Sequence, residues 1–476
     1  MDSVDLAFMP AVEQAKLIRT KEISPLELVD GYLDRIQRLN SRLGCYVFVA
    51  AEQAIADATA KTEQLMHTPT AELPPFFGVP ISIKDLNPVA NMPCAYGVRW
   101  LKKRMAQDDD GVVRKIRNAG FVILGKTATS EMGTLPYTEP DGFPPARNPW
   151  NLDYTPGGSS GGAGAALAAG LCAVAHGSDG GGSVRGPAFC CGLVGVKPAR
   201  GRVSYAPLGE RLGGLATNGV LGRSVLDAAA LLDVMSGYVT GDPYWLPNPE
   251  SSFVAAVASP MRRLRIGLVI EIPPLGEAEA TCKQAVLETA KRLEALGHQV
   301  EPVAFPDVSD LIEPFTIIFQ ALLNEVGIPE PLLGRMNRWF SVRSRLCSCG
   351  AYLRATAKVE LISRRIVAAF DPIDVMLLPT YLHPTIQVGE WARYRPGKTL
   401  EKIVRWIAPC PPFNATGQPA IAIPTGFDVN GLPIGVQLAG HPAAEATLLA
   451  LAAELEAAYP WSHHRPPMST HLADET

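Results

Sequence analysis

Between Ile23 and Asn40, apolar residues recur at Leu26, Val29, Leu33 and Ile36, with charged residues between them. That spacing of three to four predicts an amphipathic helix. Ser24 reads as its N-cap, Pro25 as its first helical residue and Glu27 as the capping-box partner. A second helix is predicted over "AAEQAIADATAKTEQLM". The pattern then changes: "FFGVPISIKDL" is an apolar run closing on Lys84-Asp85, which reads as a buried strand. "DGVVRKIRNAG" predicts a short helix ending at Gly120, and "FVILGKT" a strand. From Thr155 to Gly182 the composition turns to Gly, Ala and Ser. Here "GGSSGGAGAALAAGL" reads as a glycine turn opening into a helix of small residues, and "CAVAHGSD" as a buried strand. "SVLDAAALLDVM" (helix), "RRLRIGLVI" (strand) and "GEAEATCKQAVLETAKRLEALG" (helix, stopped at Gly297) follow. Residues from about 305 to 370 read as helical and aromatic. "DPIDVMLLPT" and "QPAIAIPTG…GLPIGVQLAG" restore strands, the latter as a hairpin through "DVNGLP". Helices alternating with buried apolar strands predict an α/β layered architecture.

Composition narrows the class. At 476 residues, 47% of them hydrophobic, the chain can bury a large core; a prior of about 150 residues per domain allows three domains, although large single α/β domains exceed it. A net charge of −4 with scattered basic residues implies no nucleic-acid partner. The N-terminal "MDSVDLAFMP" lacks the basic and apolar regions of a secretory signal, and "AGAALAAGLCAVAHG" is too short for a membrane span. A cytoplasmic location is therefore expected. Neither Cys347-Ser348-Cys349 nor Cys190-Cys191 has the paired spacing of a zinc site, so no metal is expected.

Three motifs compete for the chemistry. Gly120 to Thr127, "GFVILGKT", fits G-x-x-x-x-G-K-[ST] and suggests a nucleotide binder. A phosphate loop needs free N–H groups between its glycines, yet Phe-Val-Ile-Leu should lie in a strand. Gly158 to Gly162, "GSSGG", fits the nucleophile elbow at Ser160, but "NLDYTPG" is a poor preceding strand and no histidine (His176, His383 and His441 included) is marked as partner. The third constellation joins Lys84 to "GGSSGG" and "SDGGGSVR". A serine nucleophile needs an adjacent base, and a lysine serves only when its neutral form is favoured. A second serine can bridge the two. Gly180-Gly181-Gly182 before Ser183 supply backbone N–H donors of the kind a tetrahedral intermediate requires.

"GGSSGGAGAALAAG" followed by "HGSDGGGSVRGPA…GLVGVKPARGRVS" resembles the amidase signature family of serine hydrolases. "GVPISIKD", "AGFVILGKTATSEMG", "RNPWN" and "FNATGQPAIAIPTG…GLPIGVQLAG" extend the resemblance over roughly residues 10 to 465. It implies an α/β/α sandwich with a mixed twisted central sheet, as one domain over 1–476. Its signature core spans about 75–215, a variable helical cap about 305–405, and C-terminal strands and a helix 406–465. Carried over, the family's triad falls on Lys84, Ser159 (after a non-proline cis peptide) and Ser183. The oxyanion hole falls on the N–H groups of Gly180, Gly181, Gly182 and Ser183, with Ser160, Asp179 and Arg185 in support. The family often has a larger aliphatic residue where Gly180 stands, which implies a more mobile or roomier loop. Met132, Gly133, Thr134 and Tyr137, with Phe315 and Phe319 of the cap, are expected to wall an apolar pocket. The resemblance implies cofactor-free hydrolysis of a small-molecule carboxamide, with esters or carbamates as secondary substrates and a homodimer as a common assembly. "EMGTLPYTEPDGFPPARNPWNLDY" is most similar to the branch with nylon-oligomer (cyclic amide) hydrolases. The glutamine-amidotransferase branch, which works with partner subunits and tRNA, remains an alternative without a basic surface signal here.

Overall fold

The computed structural model describes residues 3–470; the outermost residues of the 1–476 domain, 1–2 and 471–476, lie outside the described residues. The first long helix runs Pro25–Leu43, with Ser24 Oγ accepting from the Glu27 N–H at 3.1 Å and Glu27 Oε2 accepting from the Ser24 N–H at 2.8 Å. This reciprocal cap satisfies two of the N–H groups that a helix start leaves open.

Thirteen strands follow in chain order: β1 Tyr46–Val49, β2 Pro80–Lys84, β3 Val122–Thr127, β4 Val174–Asp179, β5 Val194–Lys197, β6 Thr217–Gly222, β7 Arg265–Leu268, β8 Glu271–Ile272, β9 Gly276–Glu277, β10 Gln299–Pro302, β11 Val375–Pro379, β12 Ala420–Phe427 and β13 Pro433–Gly440. Eleven of them form one sheet in the order β1-β3-β2-β4-β6-β5-β12-β13-β11-β7-β10, while β8 and β9 pair separately. The sheet is mixed. β3, β2 and β4 run parallel to one another, as do β11, β7 and β10, and the strands between them pair antiparallel. Strands β2, β3, β5, β6, β11 and β13 are buried along their whole length, as strands covered on both faces should be. This mixed sheet within helical layers is the architecture that the resemblance implies.

Two features of the fold position the site. The small-residue helix Gly161–Ala168, seven of whose eight residues are glycine or alanine, is buried at every residue and packs against β2, β3, β4 and β6. The 305–405 stretch is not wholly cap: β11 sits within the sheet, and helices Ser309–Val326, Arg335–Arg345, Cys349–Ala368 and Pro396–Trp406 surround it in sequence. Among the described residues, no helix is long and apolar enough to cross a membrane.

Candidate active site

Lys84 ends β2 and Asp179 ends β4, two parallel neighbours in which Ile81 pairs with Val174 and Ser82 with Ala175. Parallel pairing brings both C-terminal ends to one edge of the sheet. There Lys84 Nζ donates to Ser159 Oγ at 2.7 Å, to Ser178 Oγ at 3.0 Å and to the Ser178 carbonyl at 3.2 Å. Lys84 is fully buried. Burial disfavours its charged form and lowers its pKa to about 7, while the Asp179 charge pulls the other way.

Ser159 follows Gly158 across a cis peptide bond and stands just before the helix Gly161–Ala168. Gly158 is pressed against the chain opposite, where an added Cβ would lie 2.6 Å from the Tyr137 nitrogen and 2.8 Å from the Leu135 carbonyl oxygen. Ser160 is a tie between segments. Its N–H donates to the Ser183 carbonyl at 3.3 Å and its hydroxyl to the Ser178 carbonyl at 3.3 Å. Residues 155–160 form no strand leading into it, so the elbow geometry is missing.

The loop Gly180–Ser183 is held from beneath by Asp179. Its carboxylate accepts from the Gly182 and Val184 N–H groups at 2.8 and 3.0 Å, and from Arg185 Nε and NH2 at 3.0 and 2.8 Å. Burial raises the Asp179 pKa, but Arg185 and Asn414 outweigh it and hold the carboxyl well below the usual range. Arg185 continues the network to Gln437 Oε1 and Asn414 Oδ1, each at 2.6 Å, and to the Cys410 carbonyl at 3.0 Å. One assignment from the motif needs correction. The Gly182 N–H is already bonded to Asp179, so the donors that face no protein acceptor among the described residues are those of Gly180, Gly181 and Ser183.

Ser183, Gly181 and Gly182 open onto a cavity of about 100 Å³ walled by apolar side chains, Leu311, Phe315, Phe319, Ile403 and Val404 among them. Thr134 lines it too. Met132 and Gly133 stand elsewhere, beside Ser159 and Ser178 in a second, smaller cavity. Tyr137 lines neither. With its backbone nitrogen against Gly158, its ring sits in a polar cleft with Glu139 and Asp141 and meets Trp391 edge-on at 5.8 Å. At Gly180 an added Cβ would lie 3.0 Å from the Leu212 side chain and 3.6 Å from that of Phe319.

The competing motifs lose their geometry. Gly125-Lys126-Thr127 ends the buried strand β3, and Lys126 Nζ lies 3.0 Å from Asp85 Oδ1 with both side chains buried, so neither loop nor free cation is available to a phosphate. His176 is buried, its pKa lowered by desolvation to about 3 despite a hydrogen bond with Asn218. His383 stacks on Trp406, and His441 bonds to the Ile373 carbonyl. Among the described residues, no group of three or more His, Cys, Asp or Glu is placed to hold a metal.

The family model described as Amidase matches residues 27–449. The chain belongs to the amidase signature family. It is an amidohydrolase of that family, and its relatives agree. It is 51% identical, over 95% of this chain and 89% of the other, to a protein of Synechocystis sp. named "Putative amidase". It is 36% identical, over 98% of each chain, to the 6-aminohexanoate-cyclic-dimer hydrolase of Pseudomonas sp.. The solved structure of a 6-aminohexanoate cyclic dimer hydrolase complexed with substrate superposes with a TM-score of 0.90 at 32% identity, over 97% of this chain and 99% of that one.

Ser178, Asn414 and Gln437 are site residues that motif reading misses. Gln437 does leave a signal: it is the one uncharged hydrogen-bonding side chain in the apolar strand "PIGVQLAG", where burial demands a partner.

Proposed function

We propose that this amidase cleaves carboxamides bearing an apolar acyl group through an acyl-Ser183 intermediate, with Ser159 and Lys84 as proton relay. The observation that carries this is the contact of a fully buried, carboxylate-free Lys84 with Ser159 Oγ at 2.7 Å, beside the loop that bears Ser183 at an apolar cavity. Neutral Lys84 takes the Ser159 proton as Ser159 takes that of Ser183. Ser183 Oγ then attacks the carbonyl carbon. The N–H groups of Gly180, Gly181 and Ser183 hold the resulting oxyanion, each well-placed donor contributing about 3–4 kcal/mol. The proton returns through Ser159 to the leaving nitrogen, the C–N bond breaks, and water releases the acyl group along the reverse path. Because the donors recognise any acyl tetrahedral centre, esters and carbamates are secondary substrates.

Intact-mass measurement after exposure to a fluorophosphonate tests this on wild type, Ser183→Ala and Lys84→Ala. One adduct is expected on wild type and none on Ser183→Ala. On Lys84→Ala labelling should slow by about 10²- to 10⁴-fold, the usual worth of a positioned base. Labelling that survives Ser183→Ala overturns the assignment.

A further inference from the structure

The cavity on the Ser159 side has a chemistry unlike that of the acyl cavity. It measures about 40 Å³ and is lined by Asn87, Tyr96, Ser159, Ser178, Tyr205 and Arg211, together with apolar neighbours. The Arg211 guanidinium forms no ion pair and donates no side-chain hydrogen bond among the described residues. Tyr205 is 8% exposed, and its buried hydroxyl has no partner. Of the carboxylates nearby, Asp110 accepts from Asn87 Nδ2 at 3.0 Å and feels the Arg211 charge without touching it, and Glu210 accepts from the Gly214 N–H. A guanidinium with no contact partner beside a buried phenol without a hydrogen bond is a donor set that a carboxylate satisfies. The arginine supplies the planar fork and the tyrosine a third donor.

The position of Ser159 decides which part of a substrate enters. A general acid must reach the atom it protonates, and here that atom is the leaving nitrogen. Ser159 lines the polar cavity and Ser183 the apolar one. The acyl chain therefore runs under the cap, and the leaving amine runs toward Arg211. We propose that Arg211 and Tyr205 form a carboxylate subsite for the leaving group, making N-acyl amino acids the preferred substrate class. This rests on the acyl-Ser183 assignment above.

Binding to Ser183→Ala, measured by calorimetry, reads the subsite without turnover. The probes are N-hexanoyl-4-aminobutanoate and its neutral isostere N-hexanoyl-4-aminobutanamide. The carboxylate should bind about tenfold tighter or more, the worth of a charge-assisted contact. Arg211→Gln in the same background should erase the preference, Tyr205→Phe should reduce it, and Arg211→Lys should keep part of it. Equal affinity for the two probes overturns the proposal, as does a preference that survives Arg211→Gln. The probe comparison alone needs no change at Arg211, so a misfolded variant does not protect the idea. Fluorophosphonate labelling separates the two assignments. A Ser183 adduct without carboxylate preference sinks only the subsite, and carboxylate preference without a Ser183 adduct leaves a carboxylate site but overturns its assignment to the leaving group.

Discussion

An ammonium carried out of water into a site without a carboxylate in contact loses hydration and recovers little of it, which is why the Lys84 pKa falls to about 7. Protonated Lys84 cannot accept the Ser159 proton. kcat/KM for a neutral amide should therefore rise with pH through about 7 and level off above it. Asp179 adds no limb of its own, because burial is outweighed by Arg185 and its carboxyl stays ionised well below that window. A profile measured from about pH 5 to pH 9 that stays flat or falls through 7 removes Lys84 as the base. The Asp179–Arg185 pair makes a second prediction at this scale. Both side chains are fully buried, so Asp179→Asn strands a guanidinium that keeps only neutral acceptors. The loss should be about 3–5 kcal/mol in urea-melt stability. A loss below about 1 kcal/mol, the range of an exposed pair, would show that the pair is not what holds the loop.

Two glycines in helices show how packing overrides propensity. Gly162 lies in the helix Gly161–Ala168, where an added Cβ would collide with the backbone of Ala128 and stand 2.6 Å from the Cys45 carbonyl oxygen. Gly31 lies in the helix Pro25–Leu43 with nothing within 4 Å of the same position. Alanine is the better helix former by about 1 kcal/mol in either place. Thermal melts should nonetheless show opposite signs: Gly31→Ala stabilising by about 0.4–1 kcal/mol, Gly162→Ala destabilising by about 1–3 kcal/mol. Matching signs would mean that the backbone at Gly162 yields. The same contrast explains what was legible in the sequence. Elements with a strong period or cap, such as Pro25–Leu43, read directly, whereas Lys84, Ser159 and Ser183 took their roles only from the family resemblance of the motifs they stand in. The destination of an N–H did not read. Nothing in "SDGGGS" tells that Asp179 captures the Gly182 amide, or that Tyr137 turns away from Ser183 when its backbone packs on Gly158. Asn414 and Gln437 meet Arg185 from 229 and 252 residues away, beyond the reach of any spacing rule.

Those long reaches show how the whole molecule makes the pocket. β5 pairs with β12, joining the strand after the Ser183 loop to the C-terminal hairpin, and Arg185 ties the loop to Asn414 and Gln437 on that same half. The loop is thus fixed from one side while helices Ser309–Val326 and Pro396–Trp406 close over it from the other, with Phe315 and Phe319 stacked at 5.9 Å between ring centres. On the proposed reading, a hydrogen-bonded floor and an apolar roof make acyl-chain length the variable to test. Each methylene buried there is worth about 0.8 kcal/mol, so kcat/KM should rise about fourfold per carbon along a series of linear acyl amides until the chain meets the far wall. Ile403→Trp fills part of that space and should move the optimum to shorter chains. If acetyl and hexanoyl amides react alike, the apolar cavity does not hold the acyl group.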